Sequence, residues 1–165
     1  MILFAFAGNM DVEMFAKTVP SARKISNARL PGYNFIFNKT ADDQSSKANI
    51  IQSSNPNDSV WGVLIELNDN ERGYFFNKDS WSSDFKLEPV TCMDKDDNIY
   101  MAEAFVAEPH AVNTHLLPYD WYIQKIIRLA ELAGLPEDYI KRLSLVPYKV
   151  DPDDERREKR LGKIK

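Results

Sequence analysis

The chain has 165 residues, with 21 basic against 25 acidic side chains for a net charge of −4, which suits one domain of ordinary size and not two. Apolar residues make up 44%, and nineteen Phe, Tyr and Trp side chains are enough for a sizeable core, so disorder of the whole chain is excluded. A mildly acidic chain with no basic stripe in its body excludes nucleic acid as an expected partner.

Residues 2–6 form a short apolar run that ends at Ala7-Gly8-Asn9, the pattern of a buried strand meeting a tight turn. Residues 11–17 open on Asp11, an N-cap type, and continue at helical spacing, which predicts a short helix closed by Pro20 and Ser21. Residues 23–30 read as a lead-in to the Pro31-Gly32 turn. Tyr33, Phe35 and Phe37 then alternate with Asn34, Ile36 and Asn38, a strand pattern. The polar stretch 39–47 is expected to be a loop, 48–52 a short strand, and 53–58 a second loop. Val60 to Leu67 gives the strongest strand signal, being β-branched and aromatic, and Gly62 inside it marks a bulge or a close backbone approach.

Residues 69–80 are charged around Tyr74, Phe75 and Phe76, which suggests a short helix. Strands are expected over 85–91 and 100–107, with an aspartate-rich turn over 94–98 between them. The segment 120–133 carries Ile123, Ile126, Ile127 and Ala130 at helical spacing, and Gly134 is a natural stop. Pro136 suits the first turn of a following helix, Glu137 to Leu143. From Asp151 the last fifteen residues hold five acids and six bases; this tail is either helical through near-neighbour ion pairs or disordered, and is given no core role. Strands crowd the first two thirds and helices the last third, so the fold class is α+β. The expected organisation is one domain over 1–150 and a charged tail over 151–165.

Chemistry-bearing motifs are sparse. The sequence has no P-loop, no Gly-x-Gly-x-x-Gly and no Gly-x-Ser-x-Gly. Cys92 is the single cysteine, so no internal disulfide is expected, and it reads as a small core residue. His110 and His115 fall in a loop and fit no zinc spacing with Cys92, so no metal is expected. Trp61, Tyr33, Phe35 and Phe37 read as core. No apolar run approaches the length of a membrane span, and the first seven residues are too short and lack the basic lead-in of a signal peptide. No membrane partner is expected, and the cytoplasm is the default compartment.

The order of signals nevertheless resembles the γ-glutamylcyclotransferase-like family. The family opens with a strand and a Tyr-Gly-Ser-Asn loop; Phe6-Ala7-Gly8-Asn9 stands in that place. Leu30-Pro31-Gly32-Tyr33 followed by an aromatic strand and Asn38-Lys39 resembles the next family segment. Lys47-Ala48-Asn49-Ile50 is similar to its Gly-x-Ala-Asn-Ile strand, and Val60-Trp61-Gly62-Val63 to its Val-Trp-Gly-Val strand. Tyr122, Gly134-Leu135-Pro136 and Tyr139 follow the C-terminal helix pattern, so the resemblance covers roughly residues 2–143.

The resemblance implies a small closed or nearly closed mixed β-barrel with flanking helices and a pocket at its mouth beside the first loop. It implies a cyclotransferase that needs no cofactor: a γ-glutamyl amine or γ-glutamyl amino acid cyclises to 5-oxoproline and releases the amine. The family base is a Glu a dozen residues past the Val-Trp-Gly-Val strand, which in this register is Asp79; Glu71-Arg72-Gly73 is a rival that comes early. Phe6, Ala7, Gly8 and Asn9 are the expected substrate-binding loop. Tyr122 either reaches the pocket, as its family counterpart does, or packs as an aromatic at a helix start. The departures at Phe6, Ala7, Gly8 and Asp79 leave open an alternative: a catalytically impaired relative that binds a small molecule or a protein. A third class is an interaction protein whose charged tail makes the contact.

Overall fold

The computed structural model of the chain describes residues 1–75 and 84–164, and for Phe75 the backbone alone. The first strand, β1 (Ile2–Ala5), buries Leu3, Phe4 and Ala5, the continuous apolar run of a strand covered on both faces. It pairs antiparallel with β5 (Ser59–Glu66) and parallel, at Leu3 and Glu103, with β7 (Ile99–Ala107). β5 also pairs with β2 (Arg23–Pro31), β2 with β6 (Phe85–Asp94), and β6 with β7. The order β1-β5-β2-β6-β7 therefore closes into a mixed five-stranded barrel. Closure gives the backbone groups of these strands partners without an open edge.

A second, two-stranded sheet is formed by β3 (Tyr33–Thr40) and β4 (Ser46–Gln52). Asn49, 2% exposed, ties it to the barrel. Its Nδ2 donates to Asn38 Oδ1 at 2.9 Å, and its Oδ1 accepts from Ala107 N at 2.9 Å. A buried amide satisfied on both sides fixes one sheet against the other. The helices follow their sequence signals. Asp11 caps α1 (Val12–Ala16) by accepting from Met14 N at 3.0 Å. α2 (Asp120–Ala133) buries Ile123, Ile126 and Ala130 and ends on Gly134 at φ 72°, and α3 (Glu137–Ser144) follows. Among the described residues no helix is long and apolar enough to cross a membrane.

Two elements differ from the sequence reading. Residues 23–31 are a full strand, β2, and not a lead-in to a turn. A register shift between Lys24 and Ser26 breaks the alternation by which a strand is recognised. The polar stretch 39–47 is a loop only over residues 41–45; Lys39 and Thr40 end β3, and Ser46 and Lys47 begin β4. Its polar side chains are paired inside the fold: Lys39 with Asp84 at 3.3 Å, and Ser46 with the Leu116 carbonyl at 3.3 Å. The short helix expected over 69–80 is present as a 3₁₀ helix over Asp69–Phe75, and residues 76–80 lie outside the described residues.

The charged C-terminal segment forms α4 (Asp154–Leu161), and none of its residues is fully buried. It is attached by charge. Arg157 Nε donates to Asp120 Oδ2 at 2.6 Å, and Arg156 Nε donates to Asp151 Oδ2 at 2.7 Å. Asp120 and Asp151 are both buried, and Asp151 also accepts from the Trp121 indole at 2.8 Å. Two buried carboxylates need these counter-charges, so the arginines of α4 are a condition for the start of α2 to lie where it does.

The hydrogen bonds from Arg156 hold the Asp151 carboxyl well below the usual carboxylate range. A carboxyl lowered by folding contributes stability above its unfolded pKa of about 4 and loses it as pH falls towards the folded value. The melting temperature is expected to fall between about pH 5 and about pH 2, and Asp151→Asn to be less stable at neutral pH with a shallower acid dependence. Equal acid slopes for the two proteins would remove this pair as a source.

Candidate functional site

β1 ends at Ala5 beneath the middle of β5. A Cβ built on Gly62 would lie 2.3 Å from the Ala5 carbonyl oxygen, so only glycine permits this approach. Past Ala5 the chain leaves the barrel: Phe6 stays buried, and Gly8–Met10 turn as a short 3₁₀ helix in which Met10 N donates to Ala7 O at 2.9 Å. Ala7 has φ −139°, and Gly8 has no positive φ. The alanine in a family glycine position is therefore free of left-handed strain. The amides of Ala7, Gly8 and Asn9 have no hydrogen-bond acceptor among the described residues. Gly8 is open as well, since a Cβ there would meet nothing within 4 Å.

This loop forms one side of a cavity of about 410 Å³. Phe4, Phe6, Phe15, Phe85, Phe105 and Tyr122 give it apolar walls, and Lys17, Lys47, Lys125 and Asp11 supply the charged groups. A row of ring contacts joins the loop to α2: Phe6 to Phe35 at 6.1 Å, Phe35 to Phe37 at 5.0 Å and Phe37 to Tyr122 at 5.9 Å, all edge-to-face. The amide of Ala48 donates to Tyr122 Oη at 3.4 Å. Burial pushes the Tyr122 phenol up to about 12, so it stays neutral and keeps its proton as a donor. Lys47 lies over the rings of Trp121 and Tyr122, 4.8 and 4.7 Å from their centroids, and 3.4 Å from Asp43 Oδ2. Burial draws its pKa down against the pull of Asp43.

By sequence the chain matches no protein-family model and no curated protein. Its architecture does have solved counterparts. A structure described as a gamma-glutamyl cyclotransferase superposes with a TM-score of 0.78 over 96% of this chain and 98% of its own, at 22% identity. An uncharacterised protein from Homo sapiens gives 0.77 over 94% and 95%, also at 22% identity. YkqA from Bacillus subtilis gives 0.71 at 19% identity over 90% of this chain, which spans 56% of that longer one. This is a γ-glutamylcyclotransferase-like fold.

On that fold Phe6, Ala7, Gly8, Asn9 and Tyr122 all line the one cavity. Asp79 lies outside the described residues. Glu71, its rival, does not line the cavity; its Oε2 accepts from Ser21 N at 3.2 Å and from the Ser21 hydroxyl, which fastens the short 3₁₀ helix to the end of the α1 loop. Cys92 is fully buried, and burial pushes its thiol up to about 12, which suits an inert core residue. His110 is largely exposed and faces Asp84 at 3.3 Å, away from the cavity lining. Among the described residues no group of three His, Cys, Asp or Glu side chains is arranged to hold a metal ion. Sequence reasoning missed the three lysines. Lys47 sits in the quoted Lys47-Ala48-Asn49-Ile50 stretch, but a polar residue at the end of a polar run carries no sign that it faces a cavity.

Gly62→Ala is expected to lower the unfolding free energy by about 1–3 kcal/mol, because the added methyl group overlaps the Ala5 carbonyl. Gly8→Ala, with open space around it, is expected to stay within about 0.5 kcal/mol of the parent. Urea unfolding of the pair checks this, and equal midpoints would contradict the close approach.

Proposed function

We propose that this protein is a cyclotransferase that releases 5-oxoproline from a γ-glutamyl amine or γ-glutamyl amino acid. The observation that carries the reading is that Ala7, Gly8 and Asn9, whose amides have no hydrogen-bond acceptor among the described residues, line an apolar-walled cavity on a fold shared with a gamma-glutamyl cyclotransferase. The reaction suits a sparse site. The substrate's α-amine attacks its own γ-carbonyl carbon, a C–N bond closes the five-membered lactam, and the bond to the leaving amine breaks. The nucleophile is already tethered, so the protein mainly has to hold the reactive rotamer.

Asp79 is the proposed base. It takes a proton from the α-ammonium and returns it to the departing amine. The loop amides donate to the oxyanion that develops on the γ-carbonyl, a role that does not depend on the side chains at 6–8 and so survives their departure from the family pattern. Ring contacts from Phe6 through Phe35 and Phe37 to Tyr122 keep the far wall in register with that loop.

A second reading is supported by the same departures: a binding module on this scaffold, with Asp79 one methylene short of the family glutamate. The two readings part on one assay. Purified protein is expected to release 5-oxoproline from some member of a panel of γ-glutamyl amines and γ-glutamyl amino acids, and Asp79→Asn to lose at least about a hundredfold in rate. Full activity in the variant would remove Asp79 as base. Absence of turnover across the panel would favour the binding module, and turnover gained by Asp79→Glu would then mark a decayed enzyme and not a repurposed pocket.

A further inference from the structure

Two anchors tie the chain to β7 on either side of the stretch that carries Asp79. Before it, the Arg72 guanidinium donates to both carboxylate oxygens of Glu103, at 2.9 and 2.7 Å. After it, Phe85 pairs with Ala107, and the Asp84 carbonyl accepts from Glu108 N at 2.8 Å. Glu103 and Ala107 bracket Phe105, which lines the cavity together with Phe85. The chain is thus fastened to β7 on both sides of a residue of the cavity wall.

The later anchor is the more heavily built. Asp84 has φ 64°, a left-handed backbone that aspartate and asparagine tolerate better than most residues. Its carboxylate is held at both oxygens: Lys39 Nζ donates to Oδ2 at 3.3 Å, and His110 Nε2 lies 3.3 Å from Oδ1. These contacts, His110 first and Lys39 second, hold the carboxyl below its usual range. Lys39 is 7% exposed and lies over the Phe85 ring, 5.5 Å from its centroid. A buried ammonium needs a counter-charge, and Asp84 supplies it. β3, which carries Lys39, is locked to β4 and β7 by the Asn49 amide, through Asn38 and Ala107 N. Three strands therefore converge on one residue, five positions after Asp79.

From this we infer that Asp84 is a positioning residue for the base, held in place by Lys39 and His110. The inference rests on the cyclotransferase reading above, with Asp79 as base, and gives the stretch from which that base acts a fixed end. A base has to stay within hydrogen-bond reach of the α-ammonium, and a displacement of about 1 Å can cost on the order of a hundredfold in rate. Asp79, one methylene shorter than the family glutamate, has less side-chain reach with which to correct a shifted backbone.

The test separates holding the fold from holding the base. Asp84→Asn alone leaves Lys39 buried without a counter-charge and is expected to lower the melting temperature. Adding Lys39→Met removes that charge and is expected to restore most of the loss, while asparagine still suits the left-handed backbone. In this double variant, kcat for 5-oxoproline release from the fastest substrate of the panel is expected to stay about tenfold below the parent, with KM within about twofold. His110→Gln, at an exposed position, is expected to lower kcat about threefold with the melting temperature held. On top of Asp79→Asn the double substitution is expected to cost little further rate, because it acts through residue 79. A kcat that returns to the parent level in the stable double variant would overturn the inference, as would a tenfold loss repeated in full on Asp79→Asn; both leave the cyclotransferase reading standing. Should the double variant not fold, an unchanged kcat in His110→Gln overturns it. A parent that releases no 5-oxoproline, or that loses nothing on Asp79→Asn, would overturn both.

Discussion

The Ala5 carbonyl occupies space that any side chain at position 62 would need. Much of the cavity follows from that one approach. With β5 bare at Gly62, β1 lies close against it and ends at Ala5, so that the next four residues turn out over the barrel mouth. The loop residues reach the cavity because the strand that carries them stops at Ala5, the register partner of Val63. A methyl group at 62 would overlap the Ala5 carbonyl, so the strand end that carries the loop would have to shift.

A second constraint is electrostatic and acts from the other side. The start of α2 holds Asp120, Trp121 and Tyr122 in succession: a buried carboxylate, a ring that carries two cations, and a phenol on the cavity wall. Asp120 is answered by Arg157 and the neighbouring Asp151 by Arg156, both from α4. The charged segment is thus coupled to the cavity through the first turn of α2, although it buries no residue of its own. The protein relies here on matched charge where a larger domain would use apolar packing.

The barrel was legible in the sequence wherever one physical cause dominated. Apolar runs marked β1 and β5, aromatic alternation marked β3, and Gly134 at φ 72° marked the end of α2. Gly62 announced a close approach, and the partner turned out to be the residue just before the candidate loop. β2 was hidden because its irregularity at Lys24 and Ser26 destroys the period of two. The strand ends at Lys39 and Ser46 were hidden because polar residues satisfied inside the fold look the same in sequence as solvated ones. The loop and Tyr122 were named from a resemblance and share the cavity; Lys17, Lys47 and Lys125 converge only through tertiary structure, which no local pattern encodes.

The proposed function requires the amides of residues 7–9 to receive the glutamyl group. The most direct test follows the ¹⁵N-labelled amide signals of Ala7, Gly8 and Asn9 while 5-oxoproline is titrated into the protein. Saturable shifts are expected at those three amides, with Tyr122 responding alongside them. Saturable shifts confined to another part of the barrel, with residues 7–9 unmoved, would contradict it.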